Sequence, residues 1–154
     1  MNTIHKTLHS SEETEAFAKT IGGLLRGGEC IELVSDLGGG KTTFVRGLAE
    51  GAGSRDIVSS PTFTIGRQYD AGKVRIYHYD FYRLPEPGLV ADELQEALEY
   101  SRAVIVIEWA QSVQDVLPKA RVRVELLKRA DNPDYRQCEV RFPDTMKYLF
   151  KDAT

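Results

Sequence analysis

A glycine-rich loop closed by a lysine and a threonine joins an apolar strand to a helix in the first third of the sequence. Residues 35–42 read Ser-Asp-Leu-Gly-Gly-Gly-Lys-Thr and match the pattern Gly-x-x-x-x-Gly-Lys-Thr at every fixed position except the first, where Ser35 stands. Residues 30–34 before the loop have the composition of a strand, and residues 41–50 after it carry apolar side chains at helical spacing. Strand, glycine loop and helix in this order are the setting that a phosphate-binding loop (P-loop) requires, so the sequence predicts an α/β fold.

The residues of this loop suit a phosphate ligand. The glycines at residues 38–40 let successive backbone N–H groups converge on phosphate oxygens. Lys41 would place an ammonium on the β- and γ-phosphates of a nucleotide, Thr42 would offer its hydroxyl to Mg²⁺, and the positive end of the following helix would favour the anion further. The alternative is a glycine-rich turn without a ligand. Ser35 in place of the first glycine still permits the turn and predicts weaker nucleotide binding.

Length and composition favour one compact domain over residues 1–154, since a chain of that size can bury a sizeable core. The net charge of −3 offers no strong positive field to nucleic acid, so any RNA is expected to be held by another protein. The sequence has no signal segment and no apolar run near about 18 residues, which predicts a cytoplasmic protein. Cys30 and Cys138 lack disulfide or metal spacing and are interpreted as small buried apolar side chains.

The remaining sequence predicts alternating strands and helices. A capping box at residues 10–13 begins a helix that ends at Gly27, and a helix is expected again at residues 91–100. The continuously apolar residues 104–107 predict a strand buried on both faces. Further elements are an antiparallel hairpin from 62–69 and 74–80, a second strand pair from 121–127 and 137–142, and a last helix at 144–150. The expected architecture is a mixed sheet with a parallel core, antiparallel additions and helices on both faces.

Two acidic residues that end predicted strands are candidate metal and catalytic residues. Glu108 directly follows the buried strand, at the carboxyl edge of the sheet where a nucleotide-binding α/β protein places its Mg²⁺ ligand. Asp80 competes for that role, although its strand is expected to be antiparallel and more peripheral. One acid would hold the metal while the other positions the attacking water, and either could instead face solvent. Trp109 would lie beside the nucleotide or cover an edge of the core.

Three other features allow two interpretations each. Residues 59–62, Ser-Ser-Pro-Thr, could sense a γ-phosphate as switch loops do, or form an ordinary loop before a strand. His78 has no nucleophile near it in sequence and is interpreted as structural. Arg83 could act on phosphate, but a surface ion pair is favoured. The few histidines and cysteines show no zinc-binding spacing.

Four motifs together resemble the TsaE family (formerly YjeE), the bacterial ATPases of the tRNA threonylcarbamoyladenosine pathway. They are Asp-Leu-Gly-Gly-Gly-Lys-Thr-Thr-Phe at 36–44, Ser-Pro-Thr-Phe at 60–63, Tyr-His-Tyr-Asp-Phe-Tyr-Arg-Leu at 77–84 and Glu-Trp at 108–109. The resemblance spans nearly the whole chain, and the tyrosine-rich block followed by Glu-Trp is specific to the family. It implies a P-loop NTPase-like fold and a small Mg²⁺-dependent ATPase that resets the TsaB–TsaD complex for repeated turnover. TsaD performs the transfer to tRNA adenosine, so tRNA would meet this chain only indirectly.

The resemblance also implies roles for individual residues. Lys41, Asp80 and Glu108 would be catalytic, with Asp80 needed for hydrolysis, and Thr42 and Glu108 would hold Mg²⁺. Adenine contacts are expected around Ser11 and Lys128. The full set of implied ATP-binding residues is Ser11, Gly38, Gly39, Gly40, Lys41, Thr42, Thr43 and Lys128.

Other classes of P-loop protein remain possible on the residues alone. A small-molecule or nucleotide kinase would need an acceptor pocket and a mobile arginine-bearing lid, and no such segment is evident. A GTP-driven switch would need a guanine-reading Asn-Lys-x-Asp motif, which the sequence lacks. A protein that holds ATP without hydrolysing it, as a nucleotide-gated adaptor, also fits the loop.

Overall fold

The fold is a seven-stranded mixed sheet with helices on both faces. The computed structural model describes residues 1–36, 38–61, 66–82 and 88–153. Its elements are β1 (Asn2–Leu8), α1 (Ser11–Gly22), β2 (Cys30–Val34), α2 (Lys41–Ala52), β3 (Gly66–Asp70), β4 (Arg75–Asp80), α3 (Leu89–Glu99), β5 (Ala103–Glu108), β6 (Val122–Lys128) and β7 (Arg136–Phe142), with short 3₁₀ helices at Ala110–Val113 and Asp144–Phe150. The strand order across the sheet is β1-β7-β6-β2-β5-β4-β3.

A parallel core carries antiparallel additions at both edges, as predicted. Strand β2 pairs in parallel with β5 and β6, and β5 pairs in parallel with β4. The β3–β4, β6–β7 and β1–β7 pairs are antiparallel. All of β5 is buried, because Val104 and Val106 face the core beneath α1 and α2 while Ile105 and Ile107 face the core beneath α3. Among the described residues, no helix has the length and apolar character needed to cross a bilayer.

Strand β4 corrects the expectation that Asp80 lies at the periphery. The strand is antiparallel to β3 on one side, as the hairpin predicts, but its other edge pairs in parallel with β5. Asp80 is therefore in register with Glu108 and buried. The hairpin pattern predicts only that β4 pairs with β3. The strand that pairs with the other edge of β4 comes from a distant part of the chain, and the pattern does not indicate it. The first four residues of the predicted hairpin, 62–65, lie outside the described residues.

Helix α1 begins where the capping pattern predicts it. Ser10 is the N-cap, and its hydroxyl accepts a hydrogen bond from the backbone N–H of Glu13 at 3.1 Å. The Glu13 carboxylate accepts from the N–H of His9 at 2.7 Å, one residue earlier than in a standard capping box. Cys30 and Cys138 are both free and buried, as expected, and burial raises the pKa of each thiol to about 12.

Glycines allow helices α1 and α2 to meet backbone to backbone. A Cβ atom on Gly22 would lie 2.1 Å from the carbonyl oxygen of Leu48, and one on Gly47 would lie 2.2 Å from that of Glu15. At Gly51 the corresponding distance to the Lys19 carbonyl oxygen is 2.0 Å. These three glycines each lower helix propensity by about 1 kcal/mol relative to alanine. The helices need glycine at these three positions because a Cβ atom would collide with the backbone of the other helix.

A buried carboxylate ties the C-terminal 3₁₀ helix to the turn before β2. Glu29 is 1% exposed, and its carboxylate accepts hydrogen bonds from the N–H groups of Arg26 and Gly27 at 2.7 and 2.8 Å. The Tyr148 hydroxyl donates to the same carboxylate at 2.6 Å, and the Arg26 guanidinium lies 3.8 Å from the centre of the Tyr148 ring. Glu29 is thus satisfied by one turn of local backbone and one distant side chain.

We expect Tyr148→Phe to lower the free energy of unfolding by about 2 kcal/mol, because it removes a hydrogen bond to a buried charged group. Urea unfolding followed by circular dichroism measures the change. Tyr100→Phe is the matched control, since Tyr100 is 36% exposed at the end of α3 and should stay close to wild type. Equal midpoints for Tyr148→Phe and wild type would show that the bond to Glu29 contributes no net stability.

Candidate functional site

Two glycines of the loop have a left-handed backbone conformation. Gly38 and Gly40 have φ angles of +73° and +102°, a region that side chains with a Cβ rarely enter. Gly40 is the N-cap of α2 without a side-chain hydrogen bond, so the first N–H groups of the helix remain open to an anion. Lys41 is the first residue of α2, and its Nζ donates to the carbonyl oxygen of Ser35 at 3.2 Å. Leu37 lies outside the described residues.

Ser35 occupies the first position of the loop without backbone strain. Among the described residues, Trp109 is the only one other than glycine with a positive φ, so Ser35 does not need the freedom of glycine. Its hydroxyl donates to the carbonyl oxygen of Asp36 at 2.8 Å. A Cβ atom on Gly39 would lie 2.1 Å from the Ser35 Oγ atom, so Gly39 leaves the space that the serine fills.

We therefore expect Ser35→Gly to change ATP affinity by less than tenfold, equivalent to about 1.4 kcal/mol. The substitution removes one local hydrogen bond and relieves no strained φ angle. Nucleotide titration by calorimetry measures the effect. Gly39→Ala is the contrasting variant, because its Cβ collides with Ser35 and should weaken binding clearly more. A tenfold gain for Ser35→Gly would mean that the serine restrains the loop.

Two buried carboxylates end adjacent parallel strands beside the loop. Asp80 and Glu108 are in register at the ends of β4 and β5, with exposures of 6% and 3%. The Glu108 Oε1 atom lies 3.7 Å from Lys41 Nζ. One Asp80 oxygen, Oδ1, accepts from the backbone N–H of Tyr82 at 2.9 Å. The structure thus brings Lys41, Asp80 and Glu108 to one point at the carboxyl edge of the sheet.

His78 lies under this group, in a contact that sequence reasoning missed. The side chain is fully buried, and its Nε2 atom is 2.6 Å from Glu108 Oε2. His78 pairs in register with Val106, which places it two residues from Glu108 along β5 and on the same face of the sheet. The available signal was the spacing of His78 and Asp80, two residues apart on one strand. The interpretation of His78 as purely structural did not consider this spacing.

Trp109 forms a wall of the site. It is partly buried, and its φ angle of 56° is left-handed, a strained conformation for a bulky residue. Its ring centre lies 5.1 Å from Lys41 Nζ and 4.7 Å from the centre of the Tyr82 ring. Of the two sequence interpretations, the geometry matches the position beside the loop.

Two cavities adjoin across the glycine loop. The smaller, of about 250 Å³, is lined by residues of the loop and by the acidic strand ends: Gly38, Gly39, Gly40, Lys41, Thr42, Thr43, Ser60, Asp80, Glu108 and Trp109. The larger, of about 360 Å³, shares three of these residues and extends to the start of α1 and the start of β7: His9, Ser10, Ser11, Glu12, Thr14, Gly38, Gly40, Thr43, Asp134 and Arg136. The two cavities therefore meet at Gly38, Gly40 and Thr43, which line both.

The candidate adenine residues differ in their relation to the larger cavity. Ser11 lines it directly. Lys128, the last residue of β6, is exposed, and its Nζ lies 3.5 Å from the position that a Cβ on Gly38 would take. Sequence reasoning missed Arg136, which lines the cavity and donates from Nε to the carbonyl oxygen of Gly39 at 3.0 Å. This bond connects the start of β7 to the glycine loop.

The other sequence candidates contribute less to the described site. Ser60 lines the smaller cavity, whereas Thr62 and Arg83 lie outside the described residues. Within the described ranges, no group of three or more histidine, cysteine or acidic side chains is arranged to hold a metal ion by itself. Carboxylates from two strand ends and a threonine hydroxyl are hard oxygen donors of the kind that Mg²⁺ takes together with phosphate oxygens and water.

Comparison with known proteins identifies the family. The model of the family described as threonylcarbamoyl adenosine biosynthesis protein TsaE matches residues 8–138. The chain belongs to the TsaE family. The matched region contains both cavities and every candidate residue named above from His9 to Arg136.

Several TsaE-family proteins resemble the chain over most of their length. Those of Bacillus subtilis and Treponema pallidum are each 37% identical, over 121 and 122 residues, covering 79% of this chain and 75% and 90% of theirs. That of Rickettsia prowazekii is 35% identical over 136 residues, covering 87% of this chain and 92% of its own. All three are named tRNA threonylcarbamoyladenosine biosynthesis protein TsaE.

A solved structure has the same fold. The crystal structure of YdiB from Bacillus subtilis superposes with a TM-score of 0.80 at 30% identity, covering 98% of this chain and 93% of that one. The predicted α/β mixed sheet is therefore confirmed, and the TsaE family places the chain in tRNA threonylcarbamoyladenosine biosynthesis.

Proposed function

We propose that this TsaE-family chain binds ATP with Mg²⁺, hydrolyses it, and thereby supports repeated threonylcarbamoyl transfer to tRNA adenosine by TsaB and TsaD. The observation that carries the proposal is the convergence of Lys41, Asp80 and Glu108 in one cavity beside a glycine loop. A phosphate-binding loop facing two buried carboxylates is the arrangement that nucleoside triphosphate hydrolysis needs.

The proposed roles follow the positions of the side chains. N–H groups of the glycine loop and of the first turn of α2 would face the phosphates, and the Lys41 ammonium would neutralise charge on the β- and γ-phosphates. Thr42 and Glu108 would hold Mg²⁺, and the ion would supply positive charge against the charge that develops during phosphoryl transfer. Asp80 would position the attacking water. The donor set fits this ion, because it consists of oxygen atoms and leaves room for phosphate and water as further ligands.

The rest of the nucleotide would occupy the larger cavity. Gly38, Gly40 and Thr43 line both cavities, so phosphates bound there would let the nucleoside extend toward Ser11. We propose Ser11 and Lys128 as contacts near the adenine. Ser11 is the first residue of α1, and Lys128 is the last residue of β6.

The partners follow from the family and from the charge of the chain. We propose that TsaB and TsaD bind this chain. The TsaB–TsaD complex, and not this chain, would bind the tRNA. A net charge of −3 agrees with indirect contact, because direct tRNA binding draws on many phosphate contacts. We propose that the protein acts in the cytoplasm. Residues 1–154 are proposed to form one domain.

Phosphate release from ATP tests the proposal. The chain alone is expected to hydrolyse ATP slowly, and addition of TsaB, TsaD and substrate tRNA is expected to increase both hydrolysis and the number of modifications per complex. A phosphorylated acceptor molecule in place of free phosphate would indicate a kinase. Tight ATP binding without phosphate release under any of these conditions would indicate a nucleotide-gated adaptor.

A further inference from the structure

The Glu108 carboxylate is held from two sides. Its Oε1 atom lies 3.7 Å from Lys41 Nζ, and its Oε2 atom lies 2.6 Å from His78 Nε2. All three side chains are buried. The ammonium comes from the phosphate loop and the imidazole from the neighbouring strand, so the two groups belong to different elements of the fold.

The chemistry of the pair determines which group donates. A carboxylate oxygen accepts hydrogen bonds, so the His78 tautomer with its hydrogen on Nε2 donates a hydrogen bond to Glu108 Oε2. The other ring nitrogen, Nδ1, is buried and has no hydrogen-bond partner in the described part of the chain. An unpartnered buried nitrogen is unfavourable, and an apolar side chain would fill the same space without it. What the imidazole provides here, and an apolar side chain would not, is the hydrogen bond to Glu108.

The surroundings keep the imidazole in place. His78 pairs in register with Arg67 on β3 and with Val106 on β5, and the centre of the Tyr69 ring lies 6.4 Å from its ring centre. Tyr69 and Val106 are themselves buried in the core beneath α1 and α2. The imidazole ring is fully buried, and its Nε2 atom points at Glu108 Oε2.

We propose that His78 is a positioning residue that orients Glu108 toward the metal. It fixes Oε2, which leaves Oε1 on the side of Lys41 and of the cavity where Mg²⁺ would lie. When Lys41 engages phosphate, the bond from His78 still holds the carboxylate. The inference rests on the proposed function, because it assigns His78 an effect on the Mg²⁺ site of that function. Groups that orient metal ligands in this way change metal affinity by 10- to 100-fold when removed, as a general rule.

Two substitutions separate positioning from simple packing. His78→Leu fills the space without a donor, whereas His78→Gln keeps an N–H donor close to the position of Nε2. The measurement is the Mg²⁺ concentration at half-maximal binding of a non-hydrolysable ATP analogue, together with binding of the same analogue without Mg²⁺. We expect His78→Leu to raise the Mg²⁺ midpoint about tenfold or more, with a smaller change in Mg²⁺-free affinity. His78→Gln should restore most of the wild-type midpoint.

Two controls complete the experiment. His5→Leu should leave the Mg²⁺ midpoint unchanged, because His5 is an exposed side chain on β1. In a Glu108→Gln background, His78→Leu should cause no additional shift, because the effect acts through that carboxylate. Equal midpoints for His78→Leu and wild type, or equal shifts for the leucine and glutamine variants, would overturn the positioning role. If wild-type protein itself binds the analogue without any Mg²⁺ dependence, the proposed function and this inference both fail.

A measurement on unsubstituted protein covers the case in which His78→Leu does not fold. The ring nitrogens of His78 in ¹⁵N-labelled protein are expected to show a protonated Nε2, and their chemical shifts should move when Mg²⁺ is added to the protein with bound analogue. The His78→Gln spectrum assigns the signals. A ring that shows an unprotonated Nε2, or shifts that do not respond to Mg²⁺, would contradict the inference.

Discussion

Replacing Lys41 with alanine is expected to lower ATP affinity by about 100-fold. The Nζ atom lies in the cavity with the glycine loop, within reach of the region where the β- and γ-phosphates would lie. Charge-assisted hydrogen bonds of this kind each contribute about 1.5 kcal/mol or more, so the loss of two amounts to about 3 kcal/mol. Titration calorimetry with ATP and Mg²⁺ measures the change.

The matched control for this prediction is Lys147→Ala. Lys147 is an exposed lysine on the C-terminal 3₁₀ helix, where it pairs with Asp144 at 3.0 Å, and its removal should leave ATP affinity unchanged. Urea unfolding of both variants is needed as well, because Lys41 is buried beside Glu108 and its loss also affects stability. Unchanged ATP affinity in folded Lys41→Ala protein would show that the loop is not the nucleotide site.

Glu108→Ala and Asp80→Ala are expected to produce different defects, although both residues are buried acids at the same edge. Glu108 lies 3.7 Å from Lys41 Nζ, so its removal should raise the Mg²⁺ concentration needed for ATP binding. Asp80 has one oxygen bonded to the N–H of Tyr82 and its backbone in register with Glu108. Its removal should leave ATP binding nearly intact and lower hydrolysis by about 100-fold, the lower range for loss of a general acid or base.

Paired Mg²⁺ titrations and single-turnover hydrolysis assays distinguish the two roles. Both variants should also fail in multiple-turnover tRNA modification with TsaB and TsaD, since ATP that stays bound keeps the partner complex in one state. Asn and Gln substitutions at the same positions serve as controls for packing, because they keep side-chain volume while removing the charge. A larger shift in Mg²⁺ dependence for Asp80→Ala than for Glu108→Ala would reverse the assignment.

The parts of the fold that local chemistry determines were predictable from the sequence. Strand β2 has the predicted bounds, and α2 begins at the predicted residue, because the apolar run, the glycines and the Lys-Thr pair act within a few residues. Strand β1 was not predicted. Its partner is β7, and Asn2 pairs with Phe142. The pattern at 137–142 predicted strand β7 and its pairing with β6, but it did not report that the other edge of β7 pairs with residues near the start of the chain.

The candidate site divides in the same way. The proximity of Glu108 to Lys41 was predictable, because the carboxyl ends of parallel strands meet at one edge of a sheet. The burial of Asp80 and the contact between His78 and Glu108 depend on β4 pairing with β5, which the hairpin pattern does not report. Arg136 was missed for a related reason. It reaches the loop from the start of β7, almost a hundred residues after Gly39 in the chain.

Gly22, Gly47 and Gly51 bring the backbones of α1 and α2 into direct contact, so the two helices cannot move closer together. The larger cavity is lined by the start of α1 and by the loop that begins α2. The two sides of that cavity are therefore connected through this close helix packing. In the proposed function, the third phosphate would contact Lys41 and face Asp80 and Glu108 in the smaller cavity. A partner that responds to the bound nucleotide would then contact the protein near the ends of β4 and β5.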